Sequence, residues 1–353
     1  MKFLTVLGAR PQFIKAAPLS AALRRRFTEV LVHTGQHYDH EMSDVFFEQL
    51  GIPAPDHHLH VGSGPHGAQT GAMLAQLETV MQNERPDVVL VYGDTNSTLA
   101  GALAAAKLQI PVAHVEAGLR SFNRAMPEEI NRVVTDHLST WLFAPSVHAE
   151  RQLGVEGIGR GVHVVGDIML DAVRQHAERA RSLSRYPEAA NVCPGAFYLC
   201  TVHRAENTDQ PERLAGILAG LARLDRPVVL PLHPRTAKRL KEFGLTPAAT
   251  VRVIEPVGYF DMLQLERSAA AVLTDSGGVQ KEAYYLDVPC VTLRDETEWV
   301  ETVEVGWNIL AGTDPDAIVA ALDKHSRGHS SHPPLYGNGD AAAAIVGVFD
   351  ASD

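Results

Sequence analysis

Short apolar runs alternate with longer stretches of helical period along most of the chain. Phe3 to Leu7 reads as a buried strand, followed by a turn at Gly8 and a helix over Gln12 to Phe27. Glu29 to His33 is the next strand, and after a polar loop comes an amphipathic stretch, Ser43 to Leu50. Asp87 to Tyr92 is uninterruptedly apolar apart from its first residue. Gly93-Asp94, an Ala-rich helix over Ser97 to Leu108, and another apolar run at Pro111 to Val115 follow. The pattern then restarts. A helix over Asp171 to Arg185 precedes strands at Ala196 to Thr201, Pro227 to Pro231, Val251 to Ile254, Ala270 to Leu273 and Cys290 to Leu293. Helices are expected near Pro211 to Arg223, Arg235 to Phe243 and from Gly278, and a last short one at Asp340 to Phe349. Ser326 to Gly339, rich in Ser, His, Pro and Gly, reads as a loop. Alternating strands and helices predict an α/β protein with parallel sheets covered on both faces. Two such halves predict two doubly wound, Rossmann-like domains, residues 1–168 and residues 169–339. Ligands of this class bind beyond the carboxyl ends of the strands, which makes the cleft between the domains the expected site.

Composition narrows the function. At 353 residues the chain is long enough for two cores, and 45% hydrophobic content can fill them. A formal net charge of −11 argues against a nucleic-acid partner or an anionic membrane surface. No apolar run approaches the roughly 18 residues of a membrane span. Cys193, Cys200 and Cys290 form no C-x-x-C and are odd in number, so no disulfide framework is expected. The opening MKFLTVLGARPQ lacks the cleavage pattern of a signal peptide. A cytoplasmic protein is the expectation.

Polar residues gather where strands end: Gly8-Ala9-Arg10, Gly93-Asp94, His114-Val115-Glu116, His203-Arg204, His233 and Asp275-Ser276-Gly277-Gly278. A rigid scaffold presenting polar groups along one edge points to chemistry there. Arg10 and Lys15 flank a strand-to-helix turn suited to a phosphate, although either also reads as an ordinary surface residue. Ser276 with Gly277 and Gly278 lets backbone N–H groups and a helix dipole approach an anion; the plain alternative is a helix cap by Ser276. Glu282, one turn further, is placed to accept from ribose hydroxyls. Asp94, Glu116, and Glu128 or Glu129 supply carboxylates for general acid–base work, with His203 from the second half. Pro127-Glu128-Glu129 equally fits a helix start. Neither G-x-x-x-x-G-K-S/T nor G-x-G-x-x-G occurs. The histidine groups His33, His37, His40 and His57, His58, His60 lack the pattern of a metal site, so no metal is expected. The sequon at Asn96-Ser97-Thr98 has no meaning in a cytoplasmic chain.

Six segments carry a resemblance: GARPQFIKAAPL at 8–19, GDTNSTLAGALAA at 93–105, HVEAGLRS at 114–121, MPEEINR at 126–132, TVHRAEN at 201–207 and DSGGVQKEA at 275–283. In this order, across nearly the whole chain, they resemble the non-hydrolysing UDP-N-acetylglucosamine 2-epimerases. The resemblance implies the glycosyltransferase-B arrangement, with the last helix crossing back to the first domain. It implies an isomerase that interconverts UDP-GlcNAc and UDP-ManNAc, for surface polysaccharide, by eliminating UDP and adding it back to a 2-acetamidoglucal. Asp94, Glu116, Glu128 and His203 then match the catalytic positions. Arg10, Lys15, Arg132, Arg204, His233, Ser276, Gly277, Gly278 and Glu282 match the substrate contacts. No cofactor is implied, and a homodimer is.

Some positions depart from the family pattern. After the last long strand the family commonly has R-D-x-T-E-R, and here Trp299 replaces the final Arg. The aromatic expected against uracil falls on Met262, with Tyr259 and Phe260 close by as substitutes. The segment His66 to Thr70 lacks the Arg before Gln-Thr of allosterically regulated members, and Asp39 stands where a second Gln is expected after Gln36. These features resemble a branch that includes epimerases of UDP-2,3-diacetamido-2,3-dideoxyglucuronate, which is the alternative substrate. A glycosyltransferase of the same architecture is a further alternative, and a non-catalytic nucleotide-sugar sensor another; both leave the first-domain carboxylates without a role.

Overall fold

A computed structural model describes residues 1–36, 50–325 and 332–351. His37, Asp39, His40 and all but the last residue of the amphipathic stretch Ser43 to Leu50 lie outside these, as does the start of the Ser326 to Gly339 loop. The chain divides into two compact units, residues 1–172 with 335–353, and residues 173–334.

The first unit is built on a seven-stranded parallel sheet. Its strands are β1 (Lys2–Leu7), β2 (Thr28–His33), β3 (His57–His58), β4 (Val88–Tyr92), β5 (Val112–Val115), β6 (Trp141–Ala144) and β7 (Val162–Val164), in the order β3-β2-β1-β4-β5-β6-β7. All five residues of β4 are buried, as a strand covered on both faces requires. The chain runs outward from β1 to β3 and then resumes at β4 on the other side of β1. The boundary between β1 and β4, paired in register from Phe3 with Val88 to Thr5 with Leu90, is therefore a topological switch point. The helix Ala341–Asp350 completes this unit: Phe349 lies edge-on to Phe3, Trp141 and Phe143 at ring distances of 4.8, 5.2 and 5.7 Å. Asp171 caps that helix by accepting from the backbone N–H groups of Ala341 and Ala342 at 3.2 and 2.9 Å.

The second unit repeats the plan with six parallel strands: β8 (Tyr198–Thr201), β9 (Val228–Pro231), β10 (Val251–Ile254), β11 (Ala271–Thr274), β12 (Cys290–Thr292) and β13 (Asn308–Leu310). Their order is β10-β9-β8-β11-β12-β13, so the switch point falls between β8 and β11. Thr201 and Thr274 are register partners there, and their hydroxyls are 2.6 Å apart.

Two expectations need adjustment. The first helix, Arg10–Leu23, stops four residues short of Phe27, because the chain must turn to enter β2. Tyr259 and Phe260, read as stand-ins for an aromatic against uracil, are both buried and lie against His176 at ring distances of 6.1 and 5.6 Å. They belong to the packing of this unit. The surroundings of His176 also give it a pH signature. It is inaccessible to solvent, neither ring nitrogen meets a partner among the described residues, and burial, helped by Arg179, lowers its pKa from 6.5 to about 4. Between these values the unfolded chain takes up a proton that the folded chain refuses. Stability is therefore expected to fall as the pH drops below 6.5, by about 2 kcal/mol at pH 5, and to level off below about pH 4. Urea unfolding at pH 7 and pH 5 measures this, and His176→Leu should flatten the difference.

No helix among the described residues is long and apolar enough to cross a membrane. Cys193, Cys200 and Cys290 are free thiols.

Candidate active site

At the first switch point the turn after β1 is clamped by one buried amide. The Gln12 Oε1 accepts from the N–H groups of Gly8 and Ala9 at 2.8 and 3.0 Å, and its Nε2 donates to the Tyr92 carbonyl at 2.9 Å. This ties the end of β1 to the end of β4. One turn along the same helix, Lys15 is ion-paired with Glu116, which follows β5. Both side chains are largely buried.

Glu116 itself is held in an unusual backbone state. Its φ is +74°, a conformation that costs a non-glycine residue about 1–3 kcal/mol and persists only where the surroundings impose it. The N–H groups of Glu116 and Ala117 both donate to the Phe143 carbonyl at 3.1 Å. Next to it Gly93 adopts φ +61°, and a Cβ there would lie 3.2 Å from Glu116 Oε2 and 3.4 Å from Lys15 Nζ. A side chain there would be strained by the positive φ and would crowd the Glu116 carboxylate by a few tenths of an ångström.

Asp94 follows immediately and is ion-paired with Arg132. Its carbonyl accepts from Asn131 at 2.9 Å. Both partners come from the helix Pro127–Leu138, which begins with the Pro-Glu-Glu start expected from sequence. That helix also separates the two glutamates. Glu129 is buried and accepts from Ser121 and Phe122 backbone N–H groups at 2.9 and 3.0 Å, from the Ser121 hydroxyl at 3.0 Å, and from Arg132 at 3.0 Å. Its capacity is used in holding the 116–126 loop. Glu128 is half-buried, makes no hydrogen bond or ion pair among the described residues, and sits one helical turn before Arg132.

Behind these groups lies a network that the sequence reading did not single out. His114 is fully buried, with Nε2 2.8 Å from the Gly93 carbonyl and Nδ1 2.7 Å from Asp136. Asp136 also meets Arg120 at 2.7 Å, and Arg120 grips Glu156 through two bonds of 2.7 Å. Burial pushes the Asp136 carboxyl up, but His114 and Arg120 outweigh it and hold it below its ordinary value. The network fixes the carbonyl of the residue just before Asp94.

The second switch point is organised by Asp275, which is fully buried. It accepts from the His203 N–H at 3.1 and 3.0 Å, from the Arg204 N–H at 3.0 Å and from Asn207 at 3.2 Å, with His203 Nδ1 3.3 Å away. His203 and His233 have ring centroids 5.5 Å apart. Burial lowers the pKa of His203; Asp275 opposes this, and Arg204, His233 and Arg235 reinforce it. His203 is thus a neutral ring whose Nδ1 faces a carboxylate, the arrangement that leaves Nε2 as a base. The Nε of Arg204 is buried without a partner among the described residues.

Ser276 caps the helix Gly277–Tyr285 through its side chain, as the plain reading had it, and Gly277 and Gly278 form the first turn. A Cβ on Gly277 would lie 3.3 Å from the Trp299 indole nitrogen. Trp299, in the position where the family has Arg, is buried, and the Lys281 ammonium lies 4.0 Å over its ring. Arg10 opens the first helix and is exposed, whereas Glu282 is buried on the helix Gly277–Tyr285. The first unit therefore gathers Lys15, Asp94, Glu116, Glu128 and Arg132 near one another, and the second gathers His203, Arg204, His233 and Ser276 to Gly278.

The remaining motifs fall elsewhere. His33 stacks on His58 at 4.4 Å, His58 on His60 at 3.8 Å, and His57 bonds Glu84 at 2.7 Å. No group of His, Cys, Asp and Glu among the described residues could hold a metal ion. Gln36 accepts from the Ser97 N–H and hydroxyl at 3.0 and 2.7 Å. Gln69 accepts from Asn96 at 2.8 Å, so the two glutamines flank the start of the helix Asn96–Lys107.

The family described as UDP-N-acetylglucosamine 2-epimerase matches residues 21–350. The chain belongs to this family. Epimerases of this kind are isomerases, and so is this enzyme. A Methanococcus maripaludis protein described as a UDP-N-acetylglucosamine 2-epimerase homolog is 49% identical, over 99% of each chain. The UDP-2,3-diacetamido-2,3-dideoxy-D-glucuronate 2-epimerase of Pseudomonas aeruginosa is 50% identical over 98% of each chain. The crystal structure of the Methanocaldococcus jannaschii UDP-GlcNAc 2-epimerase, in complex with UDP-GlcNAc and UDP, superposes on this epimerase with a TM-score of 0.93 at 46% identity. It covers 99% of this chain and all of the other. A calicheamicin glycosyltransferase, 14% identical with a TM-score of 0.56, shares the fold alone.

Proposed function

We propose that this epimerase interconverts UDP-GlcNAc and UDP-ManNAc by removing and re-adding UDP across carbons 1 and 2 of the sugar. The observation that carries this reading is that each unit presents its own part of the chemistry at its switch point. The first presents carboxylates held by Lys15 and Arg132; the second presents a glycine-rich helix start with His203 and His233.

The chemistry asks for both. A base removes the carbon-2 proton, its C–H electrons become the C1=C2 bond, and the C1–O bond breaks toward the β-phosphate oxygen. Without that departure the proton is too weakly acidic to leave. The backbone N–H groups of Gly277 and Gly278, with Arg204 and His233, are suited to the diphosphate as its charge grows. Arg10 adds a cation at another helix start, and Glu282 accepts from the ribose. UDP then adds back to the 2-acetamidoglucal while a proton reaches carbon 2 from the opposite face. Two faces need two proton carriers, and Asp94, Glu116, Glu128 and His203 supply more than one candidate for each. No step calls for a metal or a redox cofactor. A homodimer acting in the cytoplasm completes the proposal.

Proton NMR in D2O with UDP-GlcNAc, EDTA and no added cofactor tests it. UDP-ManNAc should appear, with deuterium at carbon 2 of both epimers. Substrate returned fully protonated would sink the UDP-GlcNAc reading. The identity to the Pseudomonas enzyme favours a second one, and UDP-2,3-diacetamido-2,3-dideoxyglucuronate in the same tube decides it. Exchange there alone keeps the mechanism and changes the sugar.

A further inference from the structure

Glu266 lies outside every motif that the function absorbs. It sits on the helix Tyr259–Ser268, which packs beside the helix Gly277–Tyr285, and it is completely buried. Neither of its oxygens meets an N–H or hydroxyl donor among the described residues. The polar group that bears on it from the neighbouring helix is another carboxyl, that of Glu282, which is itself buried.

A bond between two carboxyl groups needs a proton on one of them. Two bare carboxylates in contact, out of water, would repel strongly in a medium that screens poorly. Glu266 is the deeper of the two. Complete burial and the neighbouring Glu282 charge both push its carboxyl well above the ordinary range. The shared proton therefore belongs to Glu266, which donates, and Glu282 accepts.

We propose that Glu266 is a positioning residue, a neutral carboxylic acid whose proton holds the Glu282 carboxylate in place as the acceptor for the ribose hydroxyls of the nucleotide. The inference rests on the nucleotide reading given above and adds a residue to it. The bond fixes the Glu282 rotamer before substrate arrives and keeps that carboxyl ionised, so it can only accept. A ribose offers two adjacent hydroxyl donors; a deoxyribose lacks the 2′ one. Glu266 therefore acts, through Glu282, on the discrimination between ribo- and deoxyribonucleotides.

Calorimetric titration of UDP and of 2′-deoxy-UDP into the full chain reads this out. The wild type should prefer UDP by about ten-fold, the size of one hydrogen bond to a charged acceptor. Glu266→Gln keeps a donor toward Glu282 and should keep the preference within about two-fold. Glu266→Met fills a similar volume without a donor, and the preference should collapse toward one. A Glu266→Met protein that still prefers UDP by the wild-type ratio overturns the role of Glu266 and leaves the nucleotide site standing. A wild type that binds no UDP overturns the nucleotide site itself. Infrared spectroscopy supplies a second test that needs no apolar variant. The wild type at neutral pH should show the carbonyl stretch of a buried neutral carboxylic acid, lost in Glu266→Gln, and its absence from the wild type would also overturn the proposal.

Discussion

Asp94→Asn is expected to lower kcat by roughly 10²–10⁴, the range that one acid–base group contributes. It should leave the fold intact. Asparagine has the same shape, the carbonyl of residue 94 still accepts from Asn131, and the buried His114–Asp136–Arg120 network behind the loop is untouched. What changes is the charge that Arg132 meets. Deuterium incorporation at carbon 2 is the measurement, because it reports proton removal even if the product ratio is unchanged. Exchange at the wild-type rate would remove Asp94 from the chemistry and leave Glu116, Glu128 and His203 to share it.

The second large effect is on stability. Asp275→Ala strips a buried acceptor from two backbone N–H groups and from Asn207, and removes the carboxylate beside the His203 ring. Each orphaned donor costs about 1–3 kcal/mol, and neighbouring losses overlap, so a fall of about 3–5 kcal/mol in unfolding free energy is expected. Urea unfolding measures it. UDP binding should fail as well, since the turn that carries His203 and Arg204 is folded around this one carboxylate. A fall below 1 kcal/mol would mean that water replaces the carboxylate.

The alternation of apolar runs and helical stretches was enough to place most central strands, because strands covered on both faces leave no polar residue to confuse the period. β4 and β9 lie within one residue of the expected runs at each end. Not every element was anticipated: β6 and the helix Pro315–His325 went unread despite their apolar residues, and others have a weak pattern. The helix His66–Glu84 buries only Gln69, Met73, Leu77 and Met81, a stripe too thin to stand out among its polar residues. β7 has no buried residue, and β13 is short and half-exposed.

Candidate site residues were legible where they follow strands. Asp94, Glu116, His203 and Asp275 each follow a strand by one or two residues. The distinction between Glu128 and Glu129 was not legible, since adjacent carboxylates differ only in what the folded loop brings to them. Glu266 was hidden for a different reason: its partner lies sixteen residues away on another helix, and nothing in local sequence marks a glutamate that keeps its proton.

The second unit is, in chain terms, an insertion within the first. The polypeptide leaves the first unit after Ala172 and re-enters it at Leu335. During synthesis the sheet β1 to β7 is therefore made early but lacks its last covering, the helix that sets Phe349 against Phe3. The second unit has no such wait: all six of its strands are present before that helix emerges. On the ribosome the order of completion is thus the reverse of the order of synthesis, and the early sheet must keep an apolar patch around Phe3, Trp141 and Phe143 uncovered for more than 150 residues of elongation.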